Sequence, residues 1–330
     1  MNTMKWLVKR EFWEHKGGFY WAPIVVGAIM VFFLAATVFS GVVMGHSHGF
    51  QIDGNNVRTL SNAMSQQEES DFVNGLAASY MGLSAPLYIV LGVVVFFFSL
   101  GALFDDRKDR SVLFWKSLPI SDGATVLSKV AIALVVAPLI TIVLATIVSI
   151  LSLMVICTGS AMLGLHVIGP VLASASLYLS PFEVAAMLPV YALWALPTIG
   201  WLMMVSAWAR TKPFLWAVGV PVFTGTLLSW FNAMFGFGWN IGWFWQHIVG
   251  RGLLSVFPGS WFAHHPMSNI GETVIHADSG ATFHRHADDM GTVMAQSWHV
   301  VATPDLWIGV AVGAAMIYAA VRLRRWRDEG

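Results

Sequence analysis

Residues 86–110 read PLYIVLGVVVFFFSLGALFDDRKDR. The stretch opens on a proline, runs nineteen residues without a charge, and ends on six consecutive charged residues from Asp105 to Arg110. A helix rises about 1.5 Å per residue, so a run of this length crosses a hydrocarbon core about 30 Å thick. Five further segments share the pattern, at 20–44, 130–157, 184–209, 215–235 and 305–322. Charged residues make up 11% of the 330-residue chain and the mean hydropathy is +0.68. Water-facing domains carry about 25% charged residues. Much of this surface therefore faces lipid, and the fold class expected is an all-α polytopic membrane protein with six transmembrane helices.

The charges set the orientation. Fifteen of the eighteen Lys and Arg residues fall in four places: Lys5 to Lys16, Arg107 to Lys129, Arg210 with Lys212, and Arg322 to Arg327. Positive segments stay on the cytoplasmic side. With six crossings all four lie together, and both termini are cytoplasmic, in the cell (inner) membrane. Residues 161–179 are apolar enough to be weighed as a seventh crossing, but a crossing there would place Arg210 and Lys212 outside. Gly164, Gly169 and Pro170 interrupt the segment, which reads as re-entrant or interfacial. The Trp- and Phe-rich stretch 239–262, with His247 and Arg251, reads the same way. The outer loops are then 45–85 and 236–304.

Local chemistry refines the limits. Ser180-Pro181-Phe182-Glu183 reads as a capping box that starts the fourth span, and Thr303-Pro304-Asp305 repeats the pattern before the sixth. Pro138, Pro189, Pro197 and Pro221 fall inside spans and predict kinks. Residues 3–19 read as an interfacial entry helix, with Met4, Leu7, Val8 and Phe12 on one side and Trp6 and Trp13 among Lys9, Arg10 and Lys16 on the other. The first apolar run is longer than a signal-peptide core, and no small-residue cleavage site follows it.

Several chemistries have no signature here. There is no Gly-rich phosphate loop ending in Lys-Ser or Lys-Thr, and no His-Glu-x-x-His. Cys157 is the only cysteine and sits in an apolar run, so neither an intrachain disulfide nor a cysteine metal cluster is available. The spans hold almost no ionisable groups, which argues against a transporter driven by protons or sodium. Histidines cluster in the second outer loop at His264, His265, His276, His284 and His286, near Asp278, Asp288 and Asp289. His and carboxylate sets bind Zn²⁺ or Cu²⁺, but His-Arg-His at 284–286 is not a standard ligand spacing. The expectation is a solvated loop with no metal, and a membrane-embedded metal-binding protein or metalloenzyme is the alternative.

The cytoplasmic loop 105–128 is the most informative segment. After its charges comes a short helix candidate from about Arg110 to Leu118, whose Val112, Trp115 and Leu118, with Leu113 and Phe114 beside them, exceed what a solvated loop needs, and Pro119 stops it. The sequence Ser111-Val-Leu-Phe-Trp-Lys-Ser-Leu-Pro-Ile-Ser121, followed by Val126-Leu-Ser-Lys129, resembles the first cytoplasmic loop of ABC-2 type transporter permeases. Val8-Lys-Arg-Glu-Phe-Trp-Glu-His15 resembles that family's entry helix. The resemblance implies a non-catalytic permease subunit of an ATP-driven exporter. It would pair with a second permease, as homodimer or heterodimer, and with two separate ATPase subunits that carry ATP and Mg²⁺. This chain would bind no cofactor. Asp109, Val112, Phe114, Trp115 and Leu118 would form the coupling helix that docks on an ATPase, and the cargo would be amphipathic or hydrophobic. A membrane scaffold whose loop is only a docking surface is a further alternative.

Overall fold

The computed structural model describes residues 3–48, 50–52, 55–57, 66–108, 121–264, 273–276, 282–285 and 290–327. It is an all-α polytopic membrane protein with six helices long and apolar enough to cross a bilayer. In chain order, α1 (Thr3–Glu14) leads through a π-helical turn at Gly17–Trp21 into α2 (Ala22–His48), and a small hairpin follows, β1 (Phe50–Ile52) and β2 (Asn55–Val57). Next come α3 (Gln66–Ser79), α4 (Ala85–Gly101), α5 (Phe104–Lys108) and α6 (Asp122–Ala131), the last continuous through a π turn at Ile132–Val136 with α7 (Ala137–Met162). The short α8 (Ile168–Ala173) precedes α9 (Ala175–Ala186) and α10 (Leu188–Trp208). After a π turn at Leu215–Gly219 come α11 (Val220–Phe235), α12 (Ile241–Phe244) and α13 (Arg251–Leu254), with a π turn at Trp245–Gly250 between the last two. A hairpin of β3 (Thr273–His276) and β4 (Thr282–Arg285) precedes α14 (Met290–His299) and the last long helix, α15 (Pro304–Arg327).

The prolines act through the backbone. Three of the π turns end two residues before a proline: Pro23, Pro138 and Pro221. A proline removes one N–H and its ring crowds the carbonyl four residues earlier, and the wider π turn relieves that crowding. The freed carbonyls find donors elsewhere. Trp201 Nε1–H donates to Ala217 O at 3.0 Å, which compensates for Pro221. The Tyr80 hydroxyl donates to Leu177 O at 2.7 Å, which compensates for Pro181.

That second bond corrects the capping-box reading. Ser180 does not start a helix: Pro181 lies inside α9, and the Ser180 hydroxyl donates back to Ser176 O at 2.6 Å. The fourth span therefore begins at Ala175, with a break at Met187, where the backbone N–H bonds to Ala185 O and Val184 O. Segment 161–179 accordingly splits into the end of α7, the six-residue α8 and the start of α9, and no separate crossing forms there. The expectation at the sixth span holds better, since α15 starts at Pro304 with Asp305 in its first turn. The segment 45–85 is less irregular than its polarity suggests. Val73 and Ala77, four apart on α3, are both buried, and Glu69 accepts from the His166 N–H.

The core sits around α10, where Trp194, Ile199, Leu202 and Met203 are wholly buried. Its main neighbour is α15. Without a hydrophobic drive between helices in lipid, such pairs rely on close packing and small residues. A Cβ on Gly200 would lie 2.6 Å from Gly313 O, and one on Gly313 would lie 2.7 Å from the Leu196 backbone, so these two helices touch backbone to backbone. Gly159 on α7 instead makes room for a side chain of α2, since Val38 fills the space a Cβ would take.

Candidate functional site

The loop that the sequence singles out leaves the described chain at Lys108 and re-enters at Ser121. Asp109, Val112, Phe114, Trp115 and Leu118 lie outside the described residues. What the structure describes is the base on which that loop stands.

Its entry is fixed first. Ser206 Oγ, near the end of α10, accepts from the backbone N–H groups of Leu103 and Phe104 at 3.0 and 2.9 Å. The Arg107 guanidinium donates to Ser206 O and to Ala209 O. These are last-turn carbonyls, so Arg107 both fills orphan acceptors and places a cation at the negative end of α10. The exit is a capped helix start: Ser121 is extended, and its hydroxyl accepts from the Ala124 N–H at 3.2 Å.

Between entry and exit lies a buried ionic cluster. Lys129 Nζ, on α6, is 2.9 Å from Glu11 Oε2 on α1 and 3.4 Å from Asp106 Oδ1 on α5. Arg324, near the end of α15, places Nη1 3.2 Å from Asp106 Oδ2 and Nε 3.3 Å from Asp122 Oδ1. The second of these is a charge contact rather than an aligned hydrogen bond. Glu11 and Lys129 are 0% and 1% exposed, and Arg324 is also buried. One guanidinium thus holds Asp106 and Asp122, which flank the loop on either side. One ammonium ties the same base to the entry helix. Arg10 adds a contact to Glu11 at 3.2 Å.

The entry helix corrects its expected face. Leu7 is buried, and Val8 and Phe12 pack on the core, but Met4 is exposed and Glu11 takes the buried stripe beside them. Trp6 and Trp13 are exposed, with Lys9 and Lys16 over their rings at 5.6 and 5.5 Å. Sequence reading gave Glu11 no role and used Lys129 and Arg324 as topology markers. A carboxylate in line with Leu7, Val8 and Phe12 was the available sign of a buried partner. That the partner lies 118 residues away has no local signature.

Of the five histidines singled out in the second outer loop, His264 is the one whose side chain the structure describes. His264 Nε2 is 3.1 Å from Gln246 O and its ring lies 6.0 Å from that of His247. His276 and His284 fall in β3 and β4, and His265 and His286 lie outside the described residues. Among the described residues, the group with three ligand atoms in reach is Glu11, Glu14 and His15. Arg10 and Lys129 already occupy its carboxylates, Arg10 bridging Glu11 and Glu14 and Lys129 contacting Glu11, and His15 Nδ1 contacts Glu11 O. Compared with family models, characterised proteins and solved structures, the chain matches none.

Proposed function

We propose that the chain is the permease subunit of an ATP-driven exporter, non-catalytic itself, which pairs with a second permease and two ATPase subunits. The observation that carries this reading is the clamp on the loop base. Asp106 and Asp122 share Arg324, and Lys129 joins Asp106 to Glu11. A loop that only had to reach into water needs no such foundation. Burying several charges is costly unless each is paired. The cost is justified where force applied to a loop must reach α1, α6 and α15 together instead of being absorbed by bending. In this reading an ATPase presses on the helix formed by Asp109–Leu118, with Val112, Phe114, Trp115 and Leu118 against it. The clamp passes the displacement to the spans. ATP and Mg²⁺ belong to the partner.

The same reading sets the orientation. The end of the bundle that holds both termini, the loop base and the Arg107 staple is the cytoplasmic face by its excess of Lys and Arg. The few charges in the spans favour an amphipathic or hydrophobic cargo. The test is affinity purification in mild detergent from the native host, followed by identification of what co-purifies. A stoichiometric ATPase that is lost on Trp115→Asp with Leu118→Asp supports the proposal. Repeated purification of an intact complex without an ATPase refutes it.

A further inference from the structure

A cavity of about 370 Å³ lies among α10, α11, α13 and α15, at the half of the bundle away from the termini. Its walls are mostly apolar and aromatic, with Trp201, Trp243 and Ile308 prominent, and two opposite charges line it, Arg251 and Asp305. Arg251 is 7% exposed, yet its Nε and Nη2 have no hydrogen-bond partner among the described residues. Its backbone is well held: Arg251 O accepts from the Thr198 and Ser255 hydroxyls at 3.0 and 2.7 Å. The guanidinium stacks on Trp194 at 4.2 Å, and the absence of a side chain at Gly309 leaves room for Nη2, since a Cβ there would lie 2.4 Å from it. So the group is fixed in place with donors unfilled. Cation–π contact offsets only part of the cost of burying a charge, and each unmade hydrogen bond adds to it.

Asp305 does not complete the pairing. No ion pair joins it to Arg251, although its charge acts on the guanidinium, raising a pKa that burial lowers. Its own carboxylate sits in the first turn of α15, where the helix dipole stabilises it. The cavity therefore presents a buried cation and, with no ion pair between them, an anion at a helix start, in an otherwise apolar setting.

We propose that this cavity binds a membrane phospholipid with a zwitterionic head group of the phosphoethanolamine class. The phosphate takes the part of the Arg251 guanidinium that lines the cavity. The ammonium lies toward Asp305 and the faces of Trp201 and Trp243. The acyl chains follow the apolar wall along Ile308. A purely anionic lipid satisfies Arg251 but meets Asp305, and a fatty acid carries nothing for Asp305 to hold. The site is independent of the export reading, because no ATPase or cargo enters its argument.

The test is native mass spectrometry of the full-length chain in detergent, with added phosphatidylethanolamine, phosphatidylglycerol or oleate. The native chain should retain phosphatidylethanolamine most strongly. Arg251→Met should weaken retention by about tenfold or more, the loss expected when a charge-assisted hydrogen bond is removed. Asp305→Asn should reverse the preference toward phosphatidylglycerol. Asp305 is only partly buried, at a helix end and without an ion pair among the described residues, so this variant is expected to fold and decides the matter alone if Arg251→Met does not. Unchanged phosphatidylethanolamine retention in both variants overturns the proposal. So does stronger retention of phosphatidylglycerol or oleate by the native chain.

Discussion

The cluster at the loop base makes a quantitative prediction through Lys129. Its ammonium contacts Glu11 at 2.9 Å and Asp106 at 3.4 Å, and both Lys129 and Glu11 are removed from solvent. Lys129→Met strips the inner partner from Glu11 but leaves Asp106 with Arg324, 3.2 Å away. Breaking a buried pair from one side costs about 3–5 kcal/mol. Because Asp106 keeps a cation and Glu11 keeps Arg10, we expect the lower end, about 3 kcal/mol. At roughly 2–4 °C per kcal/mol, that is a fall in Tm of about 6–12 °C. Glu11→Leu with Lys129→Met removes both charges and should recover most of the loss, since an apolar pair often replaces a buried ionic one without penalty. The assay is thermal unfolding of the purified chain in one detergent at one scan rate, because such unfolding is usually irreversible. If Lys129→Met shifts Tm by less than about 2 °C, the pair is not worth what burial implies. If the double variant melts as low as the single one, packing and not charge carries the site.

Further changes test other contacts. Tyr80→Phe orphans Leu177 O and should cost about 1–2 kcal/mol; in a Pro181→Ala background the restored helix bond should reduce that loss, which a double-mutant cycle by thermal unfolding reads directly. Gly313→Ala must part α10 from α15 and should destabilise by about 1–3 kcal/mol, whereas Gly41→Ala, with nothing within 4 Å, should be neutral or slightly stabilising in the same assay. Arg324→Lys cannot reach Asp106 and Asp122 at once from a single nitrogen, so it should lower Tm, and an Arg324→Met variant that melts no lower would show that the charge contacts contribute little. Reporter tags at the two termini should read the same side of the membrane, and a tag in residues 58–64 the other; any other pattern sinks the six-crossing orientation.

The spans were legible because length and lack of charge are local properties. The run 86–104 announces itself, and α4 with its flanking turns occupies it. Boundaries were less legible where a distant group altered the local chemistry. Ser180-Pro181-Phe182-Glu183 has the composition of a helix start, but a hydroxyl from Tyr80 supplies the donor that Pro181 lacks, so the helix runs through. Nothing near residue 180 encodes that donor. Glu11 was passed over for a related reason. On a twelve-residue helix with Lys5, Lys9 and Arg10, a carboxylate looks solvated, and only the packing of α1 on α6 reveals that it is not. Arg251 was visible as one of three basic residues outside the positive segments, but its missing partners are a property of the cavity alone.

Two buried arginines show how one side chain serves opposite ends. Arg324 and Arg251 are excluded from solvent to nearly the same degree. Arg324 meets two carboxylates from elements that flank one loop, so its charge is spent inside the protein and its effect is to make those elements move as one. Arg251 meets an indole face and keeps two enclosed nitrogens without a hydrogen-bond partner among the described residues, and no ion pair joins it to Asp305. A buried guanidinium left in that condition raises the energy of the empty site, and whatever supplies an anion is bound with that energy returned. Rigidity at the end that carries the termini and receptivity at the other thus follow from a single difference, the placement of carboxylates around a guanidinium. If a lipid fills the Arg251 cavity, it also braces α10 against α11 and α15. A displacement delivered at the clamp along α15 would then reach the far half of the bundle through a helix packed on both sides.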